Sequence, residues 1–561
     1  MSANKPWLKS YPKNVPEFID LSTYSSLNEI VDEAIEKYQD LTAFSCMDKS
    51  ITYAQLDEYT QAFANYLRND LKLNKGDRVA VMMPNLLQYP VAVFGILRAG
   101  LVVVNTNPLY TQRELHHQLN DASVSAILVL NNFAQIVSKV LDETPVKHVI
   151  ITAVGDMLSF PKSLITNLVI KHVKKMVPDY SLPNAHTWKQ AINSGKKSQD
   201  IKEVLTQDDI AFLQYTGGTT GVAKGAMLTH KNMVANVLQS ASWLSTVVTP
   251  EKETVITPLP LYHIFALTAN CFVFLHIGGH NVLIPNPRDM KGFIATMSKY
   301  KFTALTGVNT LFNGLLNHPD FAKLDFSSLR LALGGGMAVQ RAVAEQWKKV
   351  TKKPLLEAYG LTETSPAACM NPMDLPDYNG SIGLPISSTE CSIQDDDGKI
   401  LGVGDVGEIC IRGPQVMKGY WNRDEATAES ITPDGWFKTG DIGTFDEHGY
   451  FKIVDRKKDM ILVSGFNVFP NEIEDVVAHM PGILEVAAIG VPSEKTGEAV
   501  FLCVVKSDPN LEKDAIISFC RKELTAYKVP KLIQFFDELP KTNVGKILRR
   551  ELRDIVAKQQ A

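Results

Sequence analysis

The sequence predicts an α/β fold in which a large N-terminal domain of mixed and parallel sheets, with flanking helices and a β-rich subdomain, precedes a small α+β C-terminal domain. Three observations lead to this prediction. The chain has 561 residues, which is more than one hydrophobic core usually supports. Short β-branched runs alternate with helical segments in its first part, as in a mostly parallel sheet. Beyond a charged cluster at 455–458 the remaining residues have an apolar pattern of their own, long enough for a small domain.

The first elements follow from the spacing of apolar residues. From Leu27 to Tyr38 they recur at helical intervals, and Ser26 followed by Glu29 predicts a capping box at the start of the helix. Ligands of mostly parallel sheets lie beyond the C-terminal ends of strands, and the loop after the strand expected at 210–214 is placed there. The alternating segments before it are strands at 79–83, 102–104, 126–130 and 149–152 and a helix at 89–99.

The second half of the chain defines the subdomain and the domain boundaries. The apolar run 264–277 contains polar residues and is shorter than the roughly 20 residues of a membrane-spanning helix, so we expect a buried core helix. Turn residues around 395–405 and a strand at 408–411 indicate the β-rich subdomain. We expect an N-terminal domain over 1–454, a hinge over 455–460 and a C-terminal domain over 461–561. The elements of the last domain are strands at 485–491, 501–505 and 531–535 and a helix at 514–524.

Composition and charge exclude several classes of protein. The net charge is only −4, with both signs interspersed, so we expect no nucleic-acid partner. The seven cysteines are scattered and never in C-x-x-C spacing, which argues against a disulfide framework and a zinc site. The first residues lack the apolar core of a signal peptide. We therefore expect a cytoplasmic protein.

The residues from Tyr215 to Gly225 are the strongest candidate for a binding site. They combine four glycines, three threonines and Lys224 between two predicted strands. Backbone N–H groups of glycines and hydroxyls of threonines can converge on an anion while a lysine adds charge, so we expect bound polyphosphate. Neither Ser nor Thr follows Lys224, which disfavours the common kinase and GTPase loop. Taken alone, the segment also fits a flexible surface turn.

Four further motifs accompany this loop in a fixed order. They are Leu355–Thr364, Thr439–Gly440–Asp441, Asp455–Arg456–Lys457–Lys458–Asp459 and Pro540–Lys546. Together with the loop they resemble the adenylate-forming superfamily of acyl-CoA synthetases, luciferases and peptide synthetases, and nearly the whole chain resembles its bacterial long-chain fatty-acid–CoA ligases. The main departure is Ala223, where most members carry Pro, which affects the rigidity of the loop rather than its chemistry.

The resemblance implies the roles of individual residues. Catalytic roles fall on Lys546, Glu363, Thr216 and His263, and Mg²⁺ would be held by Glu363 and Thr216. Lys546 would bridge the acyl carboxylate and the AMP moiety. The residues implied to bind ATP or CoA are Tyr215, Thr216, Gly217, Gly218, Thr219, Thr220, Gly221 and Lys224 at the phosphates, Gly335, Gly336, Tyr359, Gly360 and Thr362 around adenine and the α-phosphate, Asp441 and Arg456 at the ribose, Lys458 as the hinge pivot, and Gly465 on the pantetheine path.

Each of these residues also has an ordinary structural interpretation when it is taken singly. Tyr359 and His263 fit packed core residues, Glu363 and Lys546 fit solvated surface charges, and Asp441 fits a turn former. The segment 307–311 would line the acyl tunnel by resemblance, although it also fits a core turn. The agreement of motif and context favours the functional interpretation.

The resemblance implies a two-step reaction with ATP, Mg²⁺ and coenzyme A as cofactors or co-substrates. A long-chain fatty acid and ATP would give acyl-adenylate and pyrophosphate, and the thiol of coenzyme A would then displace AMP after rotation of a mobile small domain. The product would serve fatty-acid uptake and degradation. Two alternatives stay open, a fatty acyl-AMP ligase that loads a carrier protein and a catalytically silent fatty-acid capture protein.

A basic, apolar segment indicates a membrane partner. Leu164, Leu168 and Val173 recur near helical spacing within 160–177, and lysines supply positive charge. We expect peripheral contact with the inner membrane surface. A helix packed on its own domain is the alternative, and a homodimer is a further expectation.

Overall fold

The computed structural model describes residues 5–216, 223–493, 495–542 and 544–560. The predicted phosphate-binding residues Gly217, Gly218, Thr219, Thr220 and Gly221 lie outside the described residues. Four β-sheets, which we name A to D, are formed by the part of the chain that the structure describes.

Sheet A confirms the predicted alternation of strands and helices. Its strands are parallel except for the last pair, Ile210–Thr216 and Lys224–Thr229, which is antiparallel and flanks the glycine-rich loop. That pair places Thr216 opposite Lys224. In spatial order the strands are His186–Thr187, His148–Thr152, Val124–Leu130, Arg78–Met82, Val102–Asn105, Ile210–Thr216 and Lys224–Thr229.

Sheet B is parallel in its centre and antiparallel at both edges. Three of its strands end at a glycine next to segments of the candidate site. They are Ala304–Gly307, Leu331–Gly334 and Leu356–Gly360. In spatial order the strands are Leu384–Pro385, Ala367–Met370, Leu356–Gly360, Leu331–Gly334, Ala304–Gly307, Thr254–Thr257, His280–Leu283, Thr42–Cys46 and Lys49–Thr52.

Sheet C is the predicted β-rich subdomain and is antiparallel. Its strands are Glu390–Gln394, Gly407–Arg412, Phe437–Phe445 and Phe451–Arg456. Sheet D belongs to the C-terminal residues, and its strands are Phe466–Val468, Ile461–Val463, Gly497–Lys506, Ile483–Ser493 and Leu532–Phe536. Strand Phe451–Arg456 runs two residues into the predicted hinge.

Helices cover the sheets. Thr52, Thr111, Thr187 and Thr229 each close a capping box with the residue three positions on. The capping box predicted for Ser26 and Glu29 is wrong, because the Glu29 carboxylate accepts instead from the backbone N–H of Ser25. The α-helices are Leu27–Tyr38, Tyr53–Asn65, Gln88–Arg98, Gln112–Asp121, Ala134–Val140, Lys162–Leu168, Trp188–Gly195, His230–Leu244, Val273–His276, Met290–Met297, Asn309–Leu316, Arg341–Thr351, Asp424–Ser430, Pro470–Ala478, Lys513–Glu523 and Arg549–Gln560.

The run 264–277 is a buried helix, as predicted. It is π-helical over Ala266–Phe272 and α-helical over Val273–His276, and its apolar side chains are buried in the main core. Among the described residues, no helix combines the length and the apolar character needed to cross a membrane.

The C-terminal residues form hydrophobic clusters of their own. Two clusters, one on each face of sheet D, are built from residues between Ile461 and Val556. Besides the contacts that Asp455 and Asp459 of the hinge make with this small domain, three hydrogen bonds between described residues join it to the N-terminal domain, 1–454. The Thr310 hydroxyl donates to the Gly545 carbonyl at 2.9 Å, the Asn313 amide donates to the Leu484 carbonyl at 2.7 Å, and the Arg341 N–H donates to Asp475 at 3.3 Å.

Candidate active site

A cavity of about 70 Å³ lies where the ends of sheet B strands meet the small domain. Its lining joins residues that are hundreds of positions apart in the sequence. The lining residues used below are His263, Phe265, Gly335, Gly336, Tyr359, Gly360, Thr362 and Lys546. All of these residues except Phe265 were predicted site residues, so the structure brings seven predicted site residues together.

Lys546 enters this cavity from the small domain. Its loop is closed by two hydrogen bonds, in which the Thr542 hydroxyl oxygen accepts from Lys546 N–H at 3.1 Å and the Lys546 carbonyl accepts from Thr542 N–H at 2.7 Å. Burial, together with the nearby Arg456, lowers the pKa of Lys546 to about 8, although Asp441 and Glu363 act in the opposite direction. The ammonium therefore exchanges its proton near neutral pH.

Gly336 leaves room for that lysine. Its φ is +77°, and a Cβ there would lie 3.3 Å from Cε of Lys546. Any side chain at this position would be strained and would press on the lysine. At Gly335 a Cβ would lie instead 3.1 Å from the ring of Phe265.

His263 is a neutral hydrogen-bonding group. Its Nδ1 accepts from the backbone N–H of Phe265 at 3.3 Å. Burial lowers the pKa of His263 to about 3, and the charge of Lys546 acts in the same direction. Because Nδ1 accepts, the proton is assigned to Nε2, which can donate to an oxygen in the cavity.

Tyr359 and Asp441 are buried at one side of the cavity, and Arg456, whose side chain is exposed, pairs with Asp441. The Tyr359 hydroxyl donates to Asp441 Oδ2 at 2.6 Å, and Arg456 Nε lies 3.0 Å from Oδ1. Burial, reinforced by Asp441, raises the pKa of Tyr359 well above its ordinary value, so the phenol stays protonated. A carboxylate has about four acceptor positions, so Asp441 keeps capacity for two further hydroxyl donors.

Glu363 lies in the turn Thr362–Thr364 that follows strand Leu356–Gly360. Its carboxylate Oε1 accepts from the hydroxyl of Tyr420 at 2.8 Å. Lys224 lies over the ring of the same tyrosine, with Nζ 5.2 Å from the ring centroid. Tyr420 was absent from the sequence prediction, because a tyrosine in a Gly-Tyr-Trp segment carries no pattern that distinguishes it from a core aromatic.

Several predicted residues lie outside the lining of this cavity, namely Tyr215, Thr216, Lys224, Glu363, Asp441, Arg456, Lys458 and Gly465. Gly465 occupies the turn between strands Ile461–Val463 and Phe466–Val468 with φ +85°, and no heavy atom of the described residues lies within 4 Å of a Cβ built there. Lys458 follows strand Phe451–Arg456, and burial lowers its pKa. Their predicted roles in a rotated domain arrangement stay predictions.

The segment 307–311, predicted to line the acyl tunnel, lies outside the lining of this cavity. The Thr310 hydroxyl instead holds the loop that carries Lys546. Apolar lining comes from elsewhere, from Phe265, Ala269, Leu333, Ala367 and Met370.

Comparison with known proteins defines the class. The model of the family described as AMP-binding enzyme matches residues 31–421, and that of the AMP-binding enzyme C-terminal domain matches residues 472–546. The chain belongs to the AMP-binding enzyme family. It is 57% identical over 550 residues, 98% of each chain, to a long-chain-fatty-acid–CoA ligase of Escherichia coli O157:H7. It is 52% identical, again over 98% of each chain, to the enzyme of that name from Haemophilus influenzae.

Solved structures share the fold over nearly the full length. ATP-bound MatB from Rhodopseudomonas palustris is 28% identical and gives a TM-score of 0.81 over 96% of this chain and 100% of its own. The apo form of the same protein gives a TM-score of 0.70 over the same shares of the two chains. These likenesses confirm the predicted α/β fold with its small C-terminal domain.

Proposed function

We propose that the protein joins a long-chain fatty acid to coenzyme A with the use of ATP, through an acyl-adenylate. The observation that carries this proposal is the placement of Lys546 from the small domain in the cavity lined by His263, Gly336 and Tyr359. Full-length similarity to long-chain-fatty-acid–CoA ligases supports the choice of substrate.

In the first step a carboxylate oxygen of the fatty acid attacks the α-phosphorus of ATP. A carboxylate O–P bond forms, the bond from the α-phosphorus to the bridging oxygen breaks, and pyrophosphate leaves with its electron pair. Both reactants are anions, so a buried cation at the point of attack is worth far more than one in water. We assign that role to Lys546, and a hydrogen bond to the reacting oxygens to Nε2 of His263.

The remaining residues bind and orient the nucleotide. We assign Tyr359 and Gly360 to the adenine, Asp441 and Arg456 to the ribose, and Thr362 to the α-phosphate. The register that places Thr216 opposite Lys224 supports a role for both at the phosphates, with Tyr215 on the same strand.

The residues present fit a magnesium ion. Mg²⁺ is held in such sites by one or two carboxylates together with substrate phosphates. Glu363 offers a buried carboxylate whose Oε1 accepts from Tyr420, and we assign Oε2 to the cation. No cluster of three or more His, Cys, Asp or Glu suited to a metal occurs among the described residues, which agrees with a cation held largely through ATP. Glu363 with Thr216 would hold the ion, which would neutralise phosphate charge.

In the second step the thiol of coenzyme A attacks the acyl carbonyl and AMP leaves. We propose that the small domain, residues 461–561, turns about Lys458 in the hinge 455–460, so that Lys546 withdraws and Gly465 reaches the cavity. The higher score against ATP-bound than against apo MatB supports assigning the present arrangement to the ATP-dependent step.

AMP release separates the candidate functions. With palmitate, ATP and Mg²⁺, the proposed ligase releases AMP continuously only when coenzyme A is present. A ligase for a carrier protein forms the adenylate but shows no increase with coenzyme A, and a capture protein forms no pyrophosphate. Either of the last two results would refute the proposed function.

We also propose that the protein works in the cytoplasm against the inner membrane surface. Helix Lys162–Leu168 and its π-helical continuation Val169–Val173 contain no buried residue. Phe160 is 84% exposed and Val173 is 74% exposed, with further exposed apolar side chains at Leu164, Ile165, Leu168 and Met176. This exposure argues against the alternative of a helix packed on its own domain, and it matches a helix lying in an anionic bilayer surface.

Charge reversal tests this surface. Lys171, Lys174 and Lys175 are exposed, so Lys→Glu at all three should abolish co-sedimentation with vesicles that contain anionic lipid. Lys162 is left unchanged because it pairs with Asp48 at 3.0 Å. A control triple variant reverses the exposed Lys189, Lys202 and Lys349. Equal co-sedimentation of both variants would exclude this contact. The homodimer stays a prediction that analytical ultracentrifugation can check.

A further inference from the structure

Tyr420 occupies a fixed position between two motifs of the site. Its backbone pairs with strand Lys224–Thr229 through a bridge to Ala226, and Trp421 N–H donates to the Gly225 carbonyl at 2.8 Å. Tyr420 N–H donates to the Thr427 hydroxyl at 2.9 Å. The side chain is therefore anchored at the end of the glycine-rich loop, although it belongs to a segment almost two hundred residues further along the chain.

The same segment also fixes the turn that carries Glu363. Met417 N–H donates to the Glu363 carbonyl at 2.8 Å. Three residues on, the Tyr420 hydroxyl donates to Oε1 of the Glu363 carboxylate. An ionised carboxylate can only accept, so the Tyr420 hydroxyl is the donor of this bond. A carboxylate held by one oxygen presents the other in a defined direction.

The ring of Tyr420 contacts Lys224, which belongs to the glycine-rich segment Tyr215–Gly225. Lys224 lies over its face, where the ring quadrupole attracts an ammonium group. The hydroxyl of one buried side chain thus contacts an anionic group, and its ring contacts a cationic group.

We propose that Tyr420 is a positioning residue that holds Glu363 and Lys224 in register for magnesium and the ATP phosphates. The proposal rests on the function proposed above, because it takes Glu363 as the magnesium-binding carboxylate. Hydrogen-bond partners of metal-binding carboxylates orient them, and their loss commonly lowers metal affinity about 10–100-fold.

Tyr420→Phe removes the hydroxyl and keeps the ring under Lys224. Binding of α,β-methylene-ATP, measured by calorimetry over a magnesium series without fatty acid, should need about tenfold more Mg²⁺ in this variant. Binding at saturating Mg²⁺ should stay unchanged. Tyr420→Leu removes the ring as well, so its affinity for the analogue should fall even at saturating Mg²⁺.

The matched control is Tyr24→Phe, since Tyr24 also donates to a carboxylate, that of Glu33 at 2.7 Å, in the N-terminal scaffold. Its magnesium requirement should equal that of the unmodified protein. In a Glu363→Gln background, Tyr420→Phe should add no further magnesium requirement, because the hydroxyl acts through that carboxylate.

Thr427→Val provides a second variant that touches neither Glu363 nor Lys224. Losing the anchor of Tyr420 N–H should raise the magnesium requirement in the same direction by a smaller factor. An unchanged magnesium series in Tyr420→Phe, or in Thr427→Val where the first variant fails to fold, would overturn the proposal. A failure of the proposed function is distinguishable, because the unmodified protein would then release no AMP with palmitate and coenzyme A.

Discussion

Replacement of Lys546 by alanine should separate the two half-reactions. The partly buried Lys546 lines the cavity, and at about 4 Å from a developing charge an effective dielectric constant of about 20 gives an interaction of about 4 kcal/mol. Arg456 lies close enough to depress the pKa of Lys546 and retains part of the stabilisation in the variant. We therefore expect adenylation to slow by about 10²–10³, the loss typical of one positioned electrostatic group.

The pH dependence of the unmodified enzyme gives an independent measure of the same residue. Burial lowers the pKa of Lys546 to about 8, so the ammonium form predominates below that pH and is lost above it. Between pH 7 and pH 9 the protonated fraction falls from about nine-tenths to about one-tenth. The kcat/KM of adenylation should fall in proportion, and this decline should be absent in Lys546→Ala.

The assay follows each half-reaction separately. Pyrophosphate release from ATP and palmitate reports adenylation, and purified palmitoyl-adenylate with coenzyme A reports thioester formation. Lys541→Ala is the matched control, because Lys541 lies in the same loop but pairs with Glu485 of the small domain at 2.8 Å. Equal loss of both half-reactions in folded Lys546→Ala, or an alkaline decline that persists in it, would refute the assigned role.

Three further predictions use the same pair of assays. Gly465→Leu should keep adenylation and slow thioester formation, because the site around Gly465 is open here and the side chain obstructs only the rotated arrangement; a loss of adenylation alone would contradict this. Thr310→Val should slow adenylation about fivefold, the effect of one hydrogen bond of about 1 kcal/mol, and an unchanged rate would show that its bond to Gly545 is dispensable. Glu363→Gln should lower adenylation at low Mg²⁺ with partial recovery at high Mg²⁺, and an unchanged magnesium series would remove it from the metal site.

Local patterns were sufficient to predict most of the fold. Strands Arg78–Met82 and Val124–Leu130 lie within two residues of their predicted bounds. Such strands can be predicted because a run of β-branched residues between turn residues is a signal contained in a short stretch of sequence. The capping box at Ser26 failed because the carboxylate of Glu29 can reach either serine before the helix, and spacing alone does not choose between them.

The site was predictable where motifs supply it and unpredictable where only tertiary contacts do. His263, Tyr359 and Lys546 meet in one cavity as the resemblance implied. The Thr310 hydroxyl bonds to Gly545 and the Tyr420 hydroxyl bonds to Glu363, and in both pairs the partners are far apart in the sequence. Periodicity and motif spacing do not predict contacts of this kind.

The three hydrogen bonds between the small domain and the N-terminal domain help to determine how strongly the present domain arrangement is favoured. At about 1 kcal/mol each, these three bonds contribute about 3 kcal/mol, and a substrate that binds the other arrangement a few hundred times more tightly offsets that contribution. A change that strengthens this contact should therefore raise thermal stability and lower the turnover rate. An ion pair engineered between helix Asn309–Leu316 and strand Ile483–Ser493 would raise the melting temperature and slow the catalytic cycle, because the domain would have to break it in every turnover.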